Sequence, residues 1–328
     1  ARMPPEVMAS FWETAMALLK FRSRETGTPT PAKVDLGDLL SGYSIEVMPR
    51  TAEKVEDFRA LLPAGTRVYI AHIDGTPIDD MVATAARLRA EGFEPMPHFP
   101  ARSIRDRATL ADWIARYRGE ADVRQGLILA GGIPAPSGDF SASMDLLETG
   151  LFDGFTRLHV AGHPEGNRDI DPKGGEAEVM AALRWKQDFA NRSDADFAIA
   201  TQFAFEAGPV LDWADRLAAA DIKMPVHLGI AGPAKLQTLI KFAIACGVGP
   251  SLSVLQKRAR DVSKLLLPFE PTEVLTDLAK ARAEGRGKNI ERIHFFPLGG
   301  IKANATWATD NGGAHTRPAS PEQKDQNA

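Results

Sequence analysis

Ser44-Ile45-Glu46-Val47-Met48-Pro49-Arg50 (44–50) opens as an alternating, partly β-branched run and stops at a proline. It reads as a strand over 44–48 with a carboxylate, Glu46, near its end. In chains that alternate strands and helices, strand-end acids tend to face a ligand, because the loops that follow build the pocket. The arrangement returns at Ala200-Thr201-Gln202-Phe203-Ala204-Phe205-Glu206 and at Ala161-Gly162-His163-Pro164-Glu165-Gly166-Asn167. Each is a short apolar run ending abruptly in polar groups, which suggests one site assembled from several strands.

Working outward, the pattern predicts strands at Ser44–Met48, Arg67–Ile73, Glu94–Phe99, Gly126–Ala130, Arg157–Ala161, Phe197–Phe203, Pro225–Ile230 and Arg292–Leu298. Stretches of helical length lie between them, with apolar stripes at Val55/Phe58/Leu61/Leu62, Met81/Ala85/Leu88, Leu110/Trp113/Ile114/Tyr117 and Val210/Trp213/Ala214/Leu217. About three helices are expected between Pro233 and Arg286. Strand–helix alternation implies a parallel sheet under helical cover, and eight units favour closure into an α/β (β/α)8 TIM barrel. A helix carrying Val7, Phe11, Trp12, Ala15, Leu18 and Leu19 should precede the barrel. The expected organisation is one domain over 1–304 and a flexible polar tail over 305–328.

The 328-residue length suits such a barrel, and an apolar fraction of 44% can fill a large core. A net charge of −4 gives no electrostatic argument for nucleic acid or an anionic membrane. The single cysteine, Cys246, leaves no internal disulfide and no Cys-based zinc site, and reads as a small buried apolar group. With no apolar stretch of membrane-spanning length and no signal-peptide pattern at the first residues, a cytoplasmic location is expected. No Gly-x-Gly-x-x-Gly follows an early strand, which counts against a dinucleotide-binding Rossmann domain, and there is no P-loop.

From Ser44 to Leu298 the chain resembles the methylenetetrahydrofolate reductase family of α/β-barrel enzymes. The resemblance is strongest at Thr201-Gln202-Phe203-Ala204-Phe205-Glu206, similar to the family's Thr-Gln-Phe/Leu-Phe-Phe-Asp, and continues through Pro-Val-His-Leu-Gly-Ile (225–230). Residues 44–50 resemble the segment that carries the family's acid, and Pro164-Glu165 its Tyr-Pro-Glu. His98 resembles a third-strand histidine, and Lys186 falls where a helical lysine meets the cofactor. The resemblance implies NADH- or NADPH-dependent reduction of a small-molecule folate, with FAD as the usual intermediary. It implies Glu46 as the general acid and Gln202, Phe203, Glu206 and Leu236 as substrate contacts. His72, His98, Gly131, Gly132, His163, Glu165 and Lys186 are the implied cofactor contacts.

Departures cluster at the flavin contacts. The family's Arg-Gly-Asp after strand four is Ala130-Gly131-Gly132, its tyrosine before Pro-Glu is His163, a threonine ending strand two is His72, and a phenylalanine after strand seven is Leu236. Such a chain has a weakened or abandoned flavin site, and without flavin it would pass hydride directly from NAD(P)H to the folate.

The chemistry needs a proton donor to open the imidazolidine ring and an amide able to donate and accept along a pterin edge. Glu46 suits the first task, with Ile45 and Val47 expected to give it an apolar flank; its bland alternative is a helix cap or a partner for Arg50. Gln202 suits the second, against the alternative of a buried amide satisfied by backbone. Phe203 and Phe205 read as core and pocket wall, and each lone histidine is more often structural than functional. Rival readings are a metal-dependent barrel hydrolase using His72, His98, His163, His227, His294 and Asp74, a folate-dependent methyltransferase, and a non-catalytic folate binder.

Overall fold

The computed structural model describes residues 35–245, Leu255 and residues 268–313. Eight parallel strands close into a barrel in chain order. They are β1 (Ser44–Val47), β2 (Arg67–Ile70), β3 (Glu94–Pro100), β4 (Gln125–Leu129), β5 (Arg157–Gly162), β6 (Asp196–Ala204), β7 (Val226–Ala231) and β8 (Ile290–Phe296). Every predicted strand is present, with ends displaced by a few residues. β2 stops at Ile70, and Ile73, expected within it, is 54% exposed in the following loop.

The described helices are α1 (Gly37–Leu40), α2 (Pro49–Ala52), α3 (Ile78–Ala90), α4 (Arg107–Ala121), α5 (Ser143–Glu148), α6 (Ala177–Ala190), α7 (Ala207–Ala219), α8 (Leu236–Ala245), α9 (Thr272–Ala283) and α10 (Ile301–Asp310). Among the described residues no helix is long and apolar enough to cross a membrane. The helix expected before the barrel and Cys246 lie outside the described residues, as does most of the stretch between α8 and α9.

Two expectations are corrected. The stripe at Val55/Phe58/Leu61/Leu62 does not form a long helix; α2 gives way to a single 3-10 turn over Phe58–Ala60. Local side chains satisfy the backbone instead: Asp57 accepts from the Arg59 amide, and Glu91 from the Phe58 amide. The Arg87 guanidinium donates to the carbonyls of Ala52, Val55 and Glu56. Val55, Phe58 and Leu62 remain buried, so the apolar pattern reported burial and not helix. The second correction concerns the tail. Residue 305 does not begin it, because α10 runs through Asp310 and buries Ala305, Trp307 and Ala308, with Trp307 edge-on to Phe295. Residues beyond 313 lie outside the described part.

Outward-facing strand residues such as Ile45, Val47, Ile70, Val160 and Ile293 pack under the helices in one large core. At one end of the barrel the interior holds a polar floor: Arg67 donates to Gln125, and Gln125 to Glu94, which pairs with Arg89. At the other end β6 is irregular against β7 between Ala200 and Phe203. There Thr201 Oγ1 accepts from the Gly229 amide and donates to the Gln202 carbonyl, taking up ladder groups that the bulge leaves free. Gly229 is required at this crossing, since a Cβ would stand 2.5 Å from the Thr201 and Gln202 carbonyl oxygens.

Candidate active site

Alternation along β1 places Glu46 on the face opposite Ile45 and Val47. Those two residues belong to the helix-facing core, so the apolar flank expected for the acid is not its environment. The Glu46 carboxyl instead meets imidazoles, with Oε2 3.4 Å from His98 Nε2 on β3 and 4.0 Å from His294 Nε2 on β8. The Glu46 side chain keeps 19% of its surface exposed, against 12% for His98 and 2% for His294. Burial pushes His98 down to about 4 and outweighs the attraction of Glu46, so the contact joins a carboxyl group to a neutral imidazole.

An aromatic path leads from this acid to the wall expected for a substrate. His294 lies edge-on to Phe296 at 4.8 Å, and Phe296 edge-on to Phe203 at 5.4 Å. Phe203 and Leu236 are buried in one apolar cluster with Phe205 and Phe269. Gln202 is exposed within the β6 irregularity, and Glu206 is exposed at the N-cap of α7 without capping it. Among the described residues no hydrogen bond or ion pair joins Gln202 or Glu206 to Glu46. The structure therefore sets Glu46 against His98 and His294, reaches Phe203 only through the His294 and Phe296 rings, and leaves Gln202 and Glu206 open to solvent.

The remaining candidates form two separate groups. His72 stacks on Trp113 of α4 at 4.9 Å, and its Nε2 lies 3.1 Å from the Thr76 carbonyl; burial lowers its pKa. His163 and Lys186 meet at the end of β5, where burial and then the Lys186 charge push His163 down to about 4. Asn167 Nδ2 stands 3.4 Å from His163 Nδ1, within the turn that carries the half-buried Glu165. Gly131 has φ of +95° with Pro100 Cβ at 3.1 Å from a built Cβ, so its glycine is a backbone need, whereas Gly132 has open space.

Lys186, on α6, is 6% exposed and donates to the Ala161 carbonyl at 3.4 Å. Desolvation lowers its pKa to about 8. Since the unfolded amine titrates near 10.4, the folded chain binds fewer protons between the two values, and stability rises with pH across that window. Below about 8 the burial cost is fully present. Lys186→Met is therefore expected to stabilise the protein at pH 7 by on the order of 3 kcal/mol, at 1.36 kcal/mol per pKa unit. The gain should shrink as pH rises toward 10.5, as read by denaturant unfolding of both proteins at pH 7 and 10.

Two participants escape a reading of the sequence. Tyr69 on β2 and His159 on β5 are fully buried inside the barrel and hydrogen-bonded to each other through Tyr69 Oη and His159 Nδ1. The signal that could have found them is period two, which puts both on the interior face of their strands. His227 and His294, read as possible metal ligands, join them in the interior. Among the described residues no three His, Cys, Asp or Glu side chains converge with metal-ligand geometry. The fold and site together define a (β/α)8 barrel with a partly exposed carboxyl group on its interior face, set against imidazoles. A scan against protein-family models finds no match to this chain.

Proposed function

We propose that this protein reduces 5,10-methylenetetrahydrofolate to 5-methyltetrahydrofolate with hydride taken directly from NADH or NADPH. The observation that carries the reading is Glu46, a partly exposed carboxyl on β1 set against His98 and His294 and linked through Phe296 to the Phe203–Leu236 wall.

Glu46 gives its proton to N10, the bond from N10 to the bridging carbon breaks, and a 5-iminium cation forms. The ionised Glu46 then stabilises that cation until hydride from the dihydronicotinamide reaches the exocyclic carbon, leaving the methyl group and NAD(P)+. Gln202, exposed on β6, offers the pterin an amide for its donor–acceptor edge, while Phe203 and Leu236, 2% and 5% exposed, lie in the apolar packing beside Phe296.

The residues at the expected flavin contacts do not fit that cofactor. Lys186 is buried on the Ala161 carbonyl and not presented to a diphosphate, His72 is packed on Trp113, and Gly131-Gly132 supplies neither guanidinium nor carboxylate. The test is to mix purified protein with NADH or NADPH and follow dihydronicotinamide absorbance with and without methylenetetrahydrofolate. Oxidation that requires the folate, by a protein without a flavin spectrum, is the expected result. Folate binding without oxidation would overturn the reductase reading in favour of a methyltransferase or a binding protein.

A further inference from the structure

The interior of such a barrel is ordinarily filled by branched aliphatic side chains. At the amino-terminal ends of its strands this barrel holds guanidinium groups instead. Arg67 opens β2, Arg157 opens β5, and Arg292 lies near the start of β8. Their neighbours Val68, Leu158 and Ile293 belong to the helix-facing core, so alternation turns the arginines inward. None of these strands pairs with another of them, yet an eight-stranded interior is narrow enough for side chains to meet across it. Arg157 and Arg292 both lie close enough for their charges to act on Arg67.

The carboxylates of this end are committed elsewhere. Gln125 accepts from Arg67 Nε at 2.7 Å and donates to Glu94 at 2.8 Å, so an amide stands between that cation and that acid. The other oxygen of Glu94 takes Arg89 at 3.0 Å. Asp196 pairs with Arg157 at 2.9 Å, and Glu291 accepts from His227 at 3.1 Å. Among the described residues Arg67 has no carboxylate at ion-pair distance, and it donates through Nε alone. Arg67 is partly exposed, as are Arg157 and Arg292, so water and small solutes reach this mouth.

We propose that Arg67, Arg157 and Arg292 hold one phosphate-class oxyanion at the amino-terminal mouth of the barrel. The guanidinium fork matches the oxygens of such an anion, and paired forks give strong charge-assisted bonds. A carboxylate presents its oxygens in one plane, whereas a tetrahedral oxyanion offers acceptors to groups that approach from several strands. Arg67 supplies the uncommitted fork. Gln125, bonded on both sides, fixes its head before the anion arrives. A guanidinium carries five N–H donors, so Arg157 can serve the anion while it keeps Asp196. Free phosphate and a phosphate monoester share this chemistry.

The electrostatics agree with the geometry. Burial pushes Arg67 down to about 10, Arg157 and Arg292 press in the same direction, and Glu94 is the weakest of the influences upon it. A cation held in such a place without a counter-charge lowers stability. An anion that binds only the folded chain offsets that loss by mass action. This end of a barrel serves stability, while the loops at the other end serve chemistry. The anion is therefore a stabilising ligand and not a substrate. The site goes beyond the folate-reduction reading and does not rest on it.

The test is thermal unfolding of the full chain at pH 7 and fixed ionic strength, with chloride replaced stepwise by inorganic phosphate. The midpoint should rise by about 2–4 °C as phosphate saturates the site. Arg67→Gln should abolish the rise, and Arg157→Gln, at the rim, should weaken it. Lys186→Met, which removes a cation beside the far end of β5, should leave the rise intact. Glycerol 3-phosphate in place of phosphate separates the sources: a larger rise assigns the site to a monoester, an equal or smaller one to the free ion. Should Arg67→Gln fail to fold, phosphorus-31 NMR of the wild-type protein and of Arg157→Gln reads binding directly, with saturable broadening expected only in the first at low phosphate. A wild-type midpoint that phosphate moves no more than chloride does overturns the proposal. So does a rise that survives Arg67→Gln, or one that Lys186→Met removes.

Discussion

Glu46→Gln is expected to lower the turnover of methylenetetrahydrofolate by about 10²–10⁴-fold, the range that positioned proton transfer contributes. The amide keeps the length and shape of the side chain, so His98 and His294 stay packed where they are, 3.4 and 4.0 Å from the wild-type oxygen. What it lacks is a proton to give and a charge to set against the iminium cation. Folate affinity, measured by calorimetry, should stay within a few-fold of wild type, because the amide matches the carboxyl in shape and leaves the exposed Gln202 in place. A loss in kcat without a loss in binding is the signature of an interaction made only in the transition state. Wild-type turnover in this variant would remove Glu46 from the mechanism.

The second large effect is acid unfolding. Burial pushes His98, His163 and His227 down to about 4, and His159 further. In the unfolded chain each titrates near 6.5, so between about 6.5 and 4 the unfolded state binds the extra protons. Stability is then full above about 6.5 and is lost as pH falls. Four such groups titrating together remove roughly 5 kcal/mol per pH unit inside the window, comparable with the whole stability of an ordinary domain. A cooperative loss of far-ultraviolet circular dichroism centred at about pH 5 is the expected result. His163→Asn, which removes one of the four, should move that midpoint to lower pH. Native circular dichroism down to pH 4 would show that these rings are not held neutral in the fold.

Much of the barrel is legible in the sequence. Runs such as Arg67–Ile70 and Val226–Ala231 declare themselves by β-branched composition and Gly or Pro boundaries, and helices such as α7 by the spacing of Val210, Trp213, Ala214 and Leu217. The failures share one cause. Around Val55–Leu62 the apolar spacing was right for burial, but Asp57, Glu91 and Arg87 take the backbone groups that a helix would have used. At Ala305–Asp310 polar composition suggested a tail, yet Trp307 finds Phe295 and the segment stays helical. Glu46 lies on β1, but the apolar flank expected from Ile45 and Val47 is absent because those two residues face the other way.

What the sequence determined by itself is the alternation of eight strands with helical segments, because periods of two and 3.6 residues are local properties of the chain. Tertiary structure alone decided which groups surround the acid. Ser44 and His294 stand 250 residues apart in sequence and 3.0 Å apart in space, and Tyr69 meets His159 across the barrel interior. Such meetings depend on closure of β1 against β8 and on the stagger of strands around the barrel, which no local pattern records. The imidazoles of His98 and His294 face Glu46 only because the barrel closes.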